Sequence, residues 1–368
     1  LGAGDGKGIE LPEMPGDESR FRVGFSRDFL DEERQLIFPD IGLGLLEGRP
    51  GVEYEFLSDY RPEYDPEQIS DYDVLISLKP RVTSRSIGGV ERLCAVGRCG
   101  VGYDNVDLAA CTEHDIAVYI TPQGVVRPMA ESIVLFVLAL SHNLVRKDRM
   151  VREDRWVEST RRLGREPRDR VVGTVGFGNI AREAFLLLRA FGIARFLAFD
   201  PYVSASAIRE ARAEPVSFED VFRQSDYVLI NCPLTPETRR LVGCAQLAWM
   251  KPTAFLINTA RGPIVDEAAL IQALRDRQIA GAALDVFEAE PLPVGSPLLE
   301  LDNVVLSSHS VGWTEELFRD MGRIDCEGAL AVLRGEPPAS VVNRDVLERP
   351  GFQRKLRRYG ERAMGSHG

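Results

Sequence analysis

Three ionisable residues stand just past the ends of three predicted strands. Arg261 lies in Ile257-Asn-Thr-Ala-Arg-Gly262, Glu290 in Asp285-Val-Phe-Glu-Ala-Glu-Pro291, and His309 in Ser307-Ser-His-Ser-Val-Gly312. Ligands of open α/β sheets sit outside the carboxyl ends of the strands, so the three can converge on one crevice. A guanidinium there can grip a carboxylate through two parallel hydrogen bonds. An imidazole can give or take a hydroxyl proton, and a neighbouring carboxylate favours its protonated form and fixes its tautomer. The reaction that suits this set is interconversion of a 2-keto acid and a 2-hydroxy acid. Taken singly, Arg261 could equally be a surface ion-pair partner, Glu290 a solvated acid near Glu288, and His309 a core histidine. Their joint placement is what points to catalysis.

Such a reaction needs a hydride carrier, and a second motif provides for one. Val171-Val-Gly-Thr-Val-Gly176-Phe-Gly178-Asn-Ile-Ala181 reads as strand, tight turn and helix, in the form G-x-G-x-x-A. Gly176 permits the turn, Gly178 lets a pyrophosphate approach the backbone, and Ala181 lets the helix pack on its strand. The helix N-terminus offers free N–H groups to the phosphates. A lone glycine triplet is weak, but the next strand ends at Asp200, 22 residues after Gly178. That is close to the spacing of about 20 residues expected of the carboxylate that holds a ribose. Pro201, Tyr202 and Val203 follow, with no Arg to receive a 2′-phosphate. NAD is therefore expected over NADP.

The elements that must position these groups alternate along the chain. Strands are predicted at Phe21–Phe25, Val52–Leu57, Asp73–Leu78, Leu93–Gly97 and Ile116–Tyr119, followed by one long helix from Met129 to about Val151. A second alternation has strands at Val171–Val175, Arg195–Phe199, Tyr227–Asn231, Ala254–Asn258, Gly281–Leu284 and Val304–Ser307. Its helices are expected at Ile180–Phe191 and Asp266–Asp276. Continuous apolar runs fit buried parallel strands, and their interleaving with helices fits an α/β fold of two parallel-sheet units. Residues 1–20 and 349–368 read as tails.

Composition narrows the function class. Of 368 residues, 45 are Lys or Arg and 56 Asp or Glu, a net charge of −11 that leaves no footprint for nucleic acid or an anionic membrane. The longest apolar run, Ile133 to Leu140, is eight residues, against about 20 for a membrane span. No apolar signal core opens the chain, and six scattered cysteines without a C-x-x-C pair fit a cytoplasmic protein. Four histidines away from any cysteine pair give no reason to expect a metal.

The ordered set Gly100-Val-Gly-Tyr-Asp-Asn-Val-Asp107, Gly176-Phe-Gly-Asn-Ile180, Cys232-Pro-Leu-Thr-Pro-Glu-Thr238, Asn258-Thr-Ala-Arg-Gly262, Glu290-Pro291 and His309 resembles the NAD-dependent D-isomer-specific 2-hydroxyacid dehydrogenase family. That family includes phosphoglycerate, glyoxylate/hydroxypyruvate and D-lactate dehydrogenases. The resemblance implies two Rossmann-like or flavodoxin-like domains, with an NAD domain (122–310) inserted in a split substrate domain (21–121 and 311–348). It also implies a homodimer through the NAD domain. Arg261, Glu290 and His309 would then be the catalytic residues. Gly176, Gly178, Asn179, Ile180, Asp200, Pro233, Thr238, Thr259, Ala260 and Gly312 would line the cofactor, with Asp285 on the nicotinamide carboxamide. Backbone amides at Val101 and Gly102 would hold the substrate carboxylate.

Several residues stay open. Ser308 stands before His309 where many relatives have Pro, which bears on the hinge more than on proton transfer. Lys79 or Arg81 could hold a second anionic group such as a phosphate, or simply be solvated. Trp313 could line the substrate pocket or pack at the hinge. Cys232, with no basic neighbour in sequence, reads as a lining residue and not a nucleophile. Two alternatives therefore stand beside the simple hydroxyacid dehydrogenase. One is an enzyme for a phosphorylated acid such as 3-phosphoglycerate, and the other a non-catalytic, NAD-sensing, corepressor-like scaffold.

Overall fold

A computed structural model describes residues 20–365. The first tail, apart from its last residue, lies outside this range. Five parallel strands form one sheet: β1 (Phe21–Phe25), β2 (Val52–Phe56), β3 (Val74–Ser77), β4 (Ala95–Arg98) and β5 (Ala117–Ile120), in the order β2-β1-β3-β4-β5. Seven more form a second parallel sheet: β6 (Val171–Val175), β7 (Arg195–Phe199), β8 (Glu214–Pro215), β9 (Tyr227–Ile230), β10 (Phe255–Asn258), β11 (Gly281–Leu284) and β12 (Val304–Leu306). Their order is β12-β11-β10-β9-β6-β7-β8. These are the flavodoxin-like and the doubly wound dinucleotide-binding orders. In the second sheet the strand order reverses between β6 and β9, and there the crevice opens. Every strand expected from sequence is present within one or two residues at its ends; the two-residue β8 was not anticipated.

Both faces of each sheet are covered, which is why the strands are apolar throughout. Val23, Phe25, Val74 and Ile76 belong to a core on one face of the first sheet, and Leu75, Val96 and Val118 to a core on the other. Val172, Leu229 and Ile257 face one core of the second sheet, and Val175, Val228 and Leu256 the opposite one.

The crossing between the sheets differs from expectation. The helix starts at Pro122, seven residues early, because Pro at the first helical position costs no hydrogen bond. It stops at Ser141, and a new helix runs Leu144–Arg152 after Asn143 turns left-handed at φ 54°. The 122–141 helix is apolar and long enough to cross a membrane, more than the eight-residue run alone indicated. Here it is a packing helix: Ala130, Ile133, Phe136, Val137 and Leu140 enter the core of the second sheet. It also packs on the helices Asn179–Leu188 and Glu315–Leu333.

The chain returns to the first sheet through Thr314, whose side chain accepts the Leu317 N–H and opens the helix Glu315–Leu333. Residues 349–368, expected as a tail, instead carry the helix Pro350–Gly365. Phe352, Leu356 and Tyr359, spaced to share one helix face, are all at most 3% exposed in the first core. Burial of such side chains contributes about 1.5–3 kcal/mol each. The Tyr359 hydroxyl donates to Asp73 at 2.6 Å, and Lys355 Nζ donates to three backbone carbonyls.

Candidate active site

The turn after β6 is built as the glycine spacing requires. Gly176 has φ 90°, and a Cβ on it would lie 2.6 Å from the backbone nitrogen of Cys232. β6 and the β9 end approach this closely only with glycine there. Over Gly178, at the start of the 179–188 helix, space is open, and Ala181 is fully buried. Asn179 and Ile180 form the first turn of that helix, where N–H groups lack partners within it. Asp200, at the end of β7, accepts the Phe177 N–H through Oδ2 and the Tyr202 N–H through Oδ1, each at 2.8 Å. The carboxylate thus ties the glycine turn to β7 and keeps further lone pairs for hydroxyl donors. This cradle fits a dinucleotide.

The loops after β9 and β10 extend the same rim. Thr238 Oγ1 donates to the Pro233 carbonyl at 2.7 Å, closing the 233–238 turn. Buried Asn258 accepts the Ala260 N–H and donates to the Arg261 carbonyl, which fixes Thr259 and Ala260 between them. Cys232 is half-buried, and burial pushes its thiol up to about 11, so it is no nucleophile.

His309 and Glu290 meet as their positions led one to expect. His309 Nδ1 lies 2.7 Å from Glu290 Oε2, while Glu290 Oε1 accepts the Phe287 N–H at 3.0 Å. Burial raises the Glu290 carboxyl, but the His309 hydrogen bond, the Phe287 N–H and the Arg261 charge outweigh it and hold it below 4.5. The Arg261 charge thus reaches Glu290. Arg261 Nε donates to Asp104 Oδ1 at 2.9 Å and its Nη1 to the Ala260 carbonyl at 2.8 Å. Its Nη2 lies where a side chain on Gly102 would begin. The loop of the first domain is thereby pressed against the cation of the second. Among the described residues the N–H groups of Val101 and Gly102 have no hydrogen-bond partner, whereas those of Cys99 and Gly100 are taken by Ser77 and Thr121.

Other residues make contacts of their own around the site. Asp285, only 2% exposed, accepts the Ser310 and Val311 N–H groups through Oδ1. It holds the histidine loop from below. The space over Gly312 is filled by Met129 of the 122–141 helix, on the hinge side. Lys79 Nζ stands 5.5 Å from the centre of the Trp313 ring, which packs edge-on against Phe38 and Phe318. Trp313 is thus packed against two aromatic rings and still 42% exposed. Arg81 stays exposed. Asp104 was part of a quoted motif without an assigned role; only the fold shows that it faces Arg261.

With this geometry in hand, comparison with known proteins decides the family. Residues 134–311 match the model of the D-isomer specific 2-hydroxyacid dehydrogenase NAD binding domain. A glyoxylate reductase of Korarchaeum cryptofilum is 36% identical over 78% of this chain and 88% of its own length. The chain belongs to this family. A D-3-phosphoglycerate dehydrogenase of Methanocaldococcus jannaschii is 37% identical over 75% of the chain, which spans only 53% of that longer protein. The NAD-dependent formate dehydrogenase of Staphylococcus aureus, solved in complex with NAD, superposes with a TM-score of 0.73 at 27% identity, over 86% of this chain and 97% of that one. As a member of the 2-hydroxyacid dehydrogenases, the chain carries the family's NAD-binding domain on its second sheet.

Proposed function

We propose that the protein interconverts a small 2-keto acid and the matching D-2-hydroxy acid. The observation that carries this is the 2.7 Å pair of His309 and Glu290 beside a guanidinium seated on a loop with two free N–H groups. Bound NADH supplies the hydride for the keto carbon. Arg261 and the Val101 and Gly102 amides orient the substrate carboxylate, and protonated His309 donates to the developing hydroxyl. Glu290 stabilises the imidazolium, and in oxidation neutral His309 takes the proton back. Asp200 favours NAD by repelling a 2′-phosphate.

The segments 21–121 and 311–348 are read as the substrate domain, joined by the C-terminal helix, and 122–310 as the NAD domain. Lys79 is engaged with Trp313, which favours an unphosphorylated acid over a phosphoglycerate-like one. A scaffold would have no need of the intact Arg–Glu–His set. Leu144, Val145, Val151, Trp156, Val157 and Leu163 are all exposed on one stretch of the NAD domain, which supports a homodimer there. Six free thiols support a cytoplasmic setting.

The test is NADH oxidation with glyoxylate, hydroxypyruvate, phosphohydroxypyruvate, pyruvate and bulkier 2-keto acids. Turnover of an unphosphorylated acid is expected. Tight NADH binding without turnover of any acid would overturn the enzyme reading in favour of the scaffold, and turnover of phosphohydroxypyruvate alone would shift it to the phosphorylated substrate.

A further inference from the structure

Beneath the loop that carries the Val101 and Gly102 amides lies a second guanidinium, absent from the mechanism so far. Arg98 is the last residue of β4. Its side chain folds back under the loop, donates through Nη1 to the Cys99 carbonyl, and occupies the space where a Cβ on Gly100 would stand. Gly100 has φ 130°, so neither the backbone nor Arg98 leaves room for another residue. Arg98 Nε is buried without a partner among the described residues.

A buried carboxyl from far along the chain lies beside the same strand, where a Cβ on Gly97 would stand 2.9 Å from Asp325 Oδ1. Asp325, on the helix Glu315–Leu333, is fully buried, and among the described residues neither of its carboxylate oxygens has a hydrogen-bond partner. Such a group is costly to bury unless a nearby cation compensates it. Burial pushes its carboxyl up to about 8, against the pull of the Cys99 thiol and the Arg98 charge. Its helix starts just after the His309 loop, at Thr314. The helix that returns from the histidine loop thus packs against the strand that ends in Arg98, with Asp325 beside Gly97.

Resting on the 2-keto acid reading above, we propose that Arg98 is a positioning residue. It fixes the 99–102 loop from below while Arg261 contacts it at Gly102, so that two positive charges flank the amides that receive the substrate carboxylate. Arg98 acts through the loop and touches neither the cofactor nor the reacting carbon. Its loss should weaken substrate binding and spare the NAD site and the chemical step.

The experiment uses the full chain with NADH and oxamate, an unreactive carboxylate analogue of a 2-keto acid, followed by quenching of NADH fluorescence. Arg98→Met should weaken oxamate binding at least tenfold and raise KM for the best 2-keto acid similarly. The kcat should stay within threefold and NADH affinity within twofold of the original. Arg98→Lys, which keeps charge but not the reach to the Cys99 carbonyl, should weaken oxamate binding about threefold. If Arg98→Met does not fold, Arg98→Lys carries the test. Oxamate binding within twofold of the original in either folded variant, or kcat and NADH affinity falling together with it, overturns the proposal. An unaltered protein that binds NADH but neither oxamate nor any 2-keto acid overturns the functional reading, and this inference with it.

Discussion

Asp285 and His309 are joined through the backbone. The His309 N–H donates to the Asp285 carbonyl at 2.8 Å, and the next two N–H groups, of Ser310 and Val311, donate to the Asp285 carboxylate at 3.0 and 3.1 Å. His309 itself sits left-handed at φ 56°, a conformation uncommon for residues other than glycine that persists only where its surroundings fix it. A buried carboxylate thus sets the direction in which the imidazole meets Glu290.

Asp285→Ala should leave two N–H groups without their acceptor and release this loop. A stability loss of about 1–3 kcal/mol is expected, together with a larger fall in kcat than in NADH affinity. Asp285→Asn keeps an acceptor and should be milder on both counts. Thermal unfolding and NADH titration of the two variants check this. Equal kcat in Asp285→Ala and the original would show that His309 needs no such clamp.

Asp200 would perform the proposed ribose contact as a second task, since its oxygens already accept the Phe177 and Tyr202 N–H groups. Truncation to Ala would disturb the glycine turn as well as the ribose site. Asp200→Asn is the cleaner probe, because it removes the charge and keeps one acceptor oxygen. NADH should be preferred over NADPH in the original protein, and the ratio of kcat/KM for the two cofactors should fall at least tenfold in Asp200→Asn. An unchanged ratio would remove Asp200 from cofactor discrimination.

Much of this was legible in the sequence, for a physical reason. Buried parallel strands such as Val171–Val175 and Gly281–Leu284 must be apolar along their whole length, so the runs mark them. The residues at their carboxyl ends are then placed by topology, and Arg261, Glu290 and His309 could be singled out before any geometry was known. The helix ending at Ser141 was harder, because Asn143 looks like any polar residue until its left-handed turn is seen. In the C-terminal helix, basic residues obscured the spacing of Phe352, Leu356 and Tyr359, although the signal was there. The burial of Asp325 was out of reach: an acid in an amphipathic helix reads as solvated, and only the packing of that helix against β4 buries it.

Arg261→Lys should be damaging although it keeps the charge. The guanidinium uses Nε on Asp104 and Nη1 on the Ala260 carbonyl, which orients Nη2 along the loop at Gly102. A lysine ammonium cannot satisfy Asp104 and present a planar fork to a carboxylate at once. Catalytic efficiency should fall by roughly 10²-fold, about what misplacing a reacting group costs. NADH affinity and thermal stability should be retained. Steady-state kinetics near those of the original would show that another cation, such as Lys79 or Arg81, holds the substrate.

The pH dependence tests the proton-transfer pair. Because the Glu290 carboxyl is held below 4.5, it is ionised from mildly acidic pH upward. The sign for stability follows: a lowered carboxyl favours the folded state above its unfolded value, and that gain is lost only as pH falls through the lowered one. In the neutral range Glu290 is therefore a constant negative charge, 2.7 Å from His309 Nδ1. Reduction needs the His309 imidazolium and should fade as pH rises, while oxidation needs neutral His309 and should grow over the same interval. Glu290→Gln retains the size and a hydrogen-bonding oxygen but not the charge, so the pH profile of reduction should change while NADH affinity is retained. His309→Gln leaves no group able to transfer the proton and should cost on the order of 10²–10⁴-fold at every pH. Profiles of kcat/KM for both directions between pH 5 and pH 9 separate the two variants. A Glu290→Gln profile that coincides with the original, or a His309→Gln enzyme that stays nearly fully active, would show that another group carries the proton.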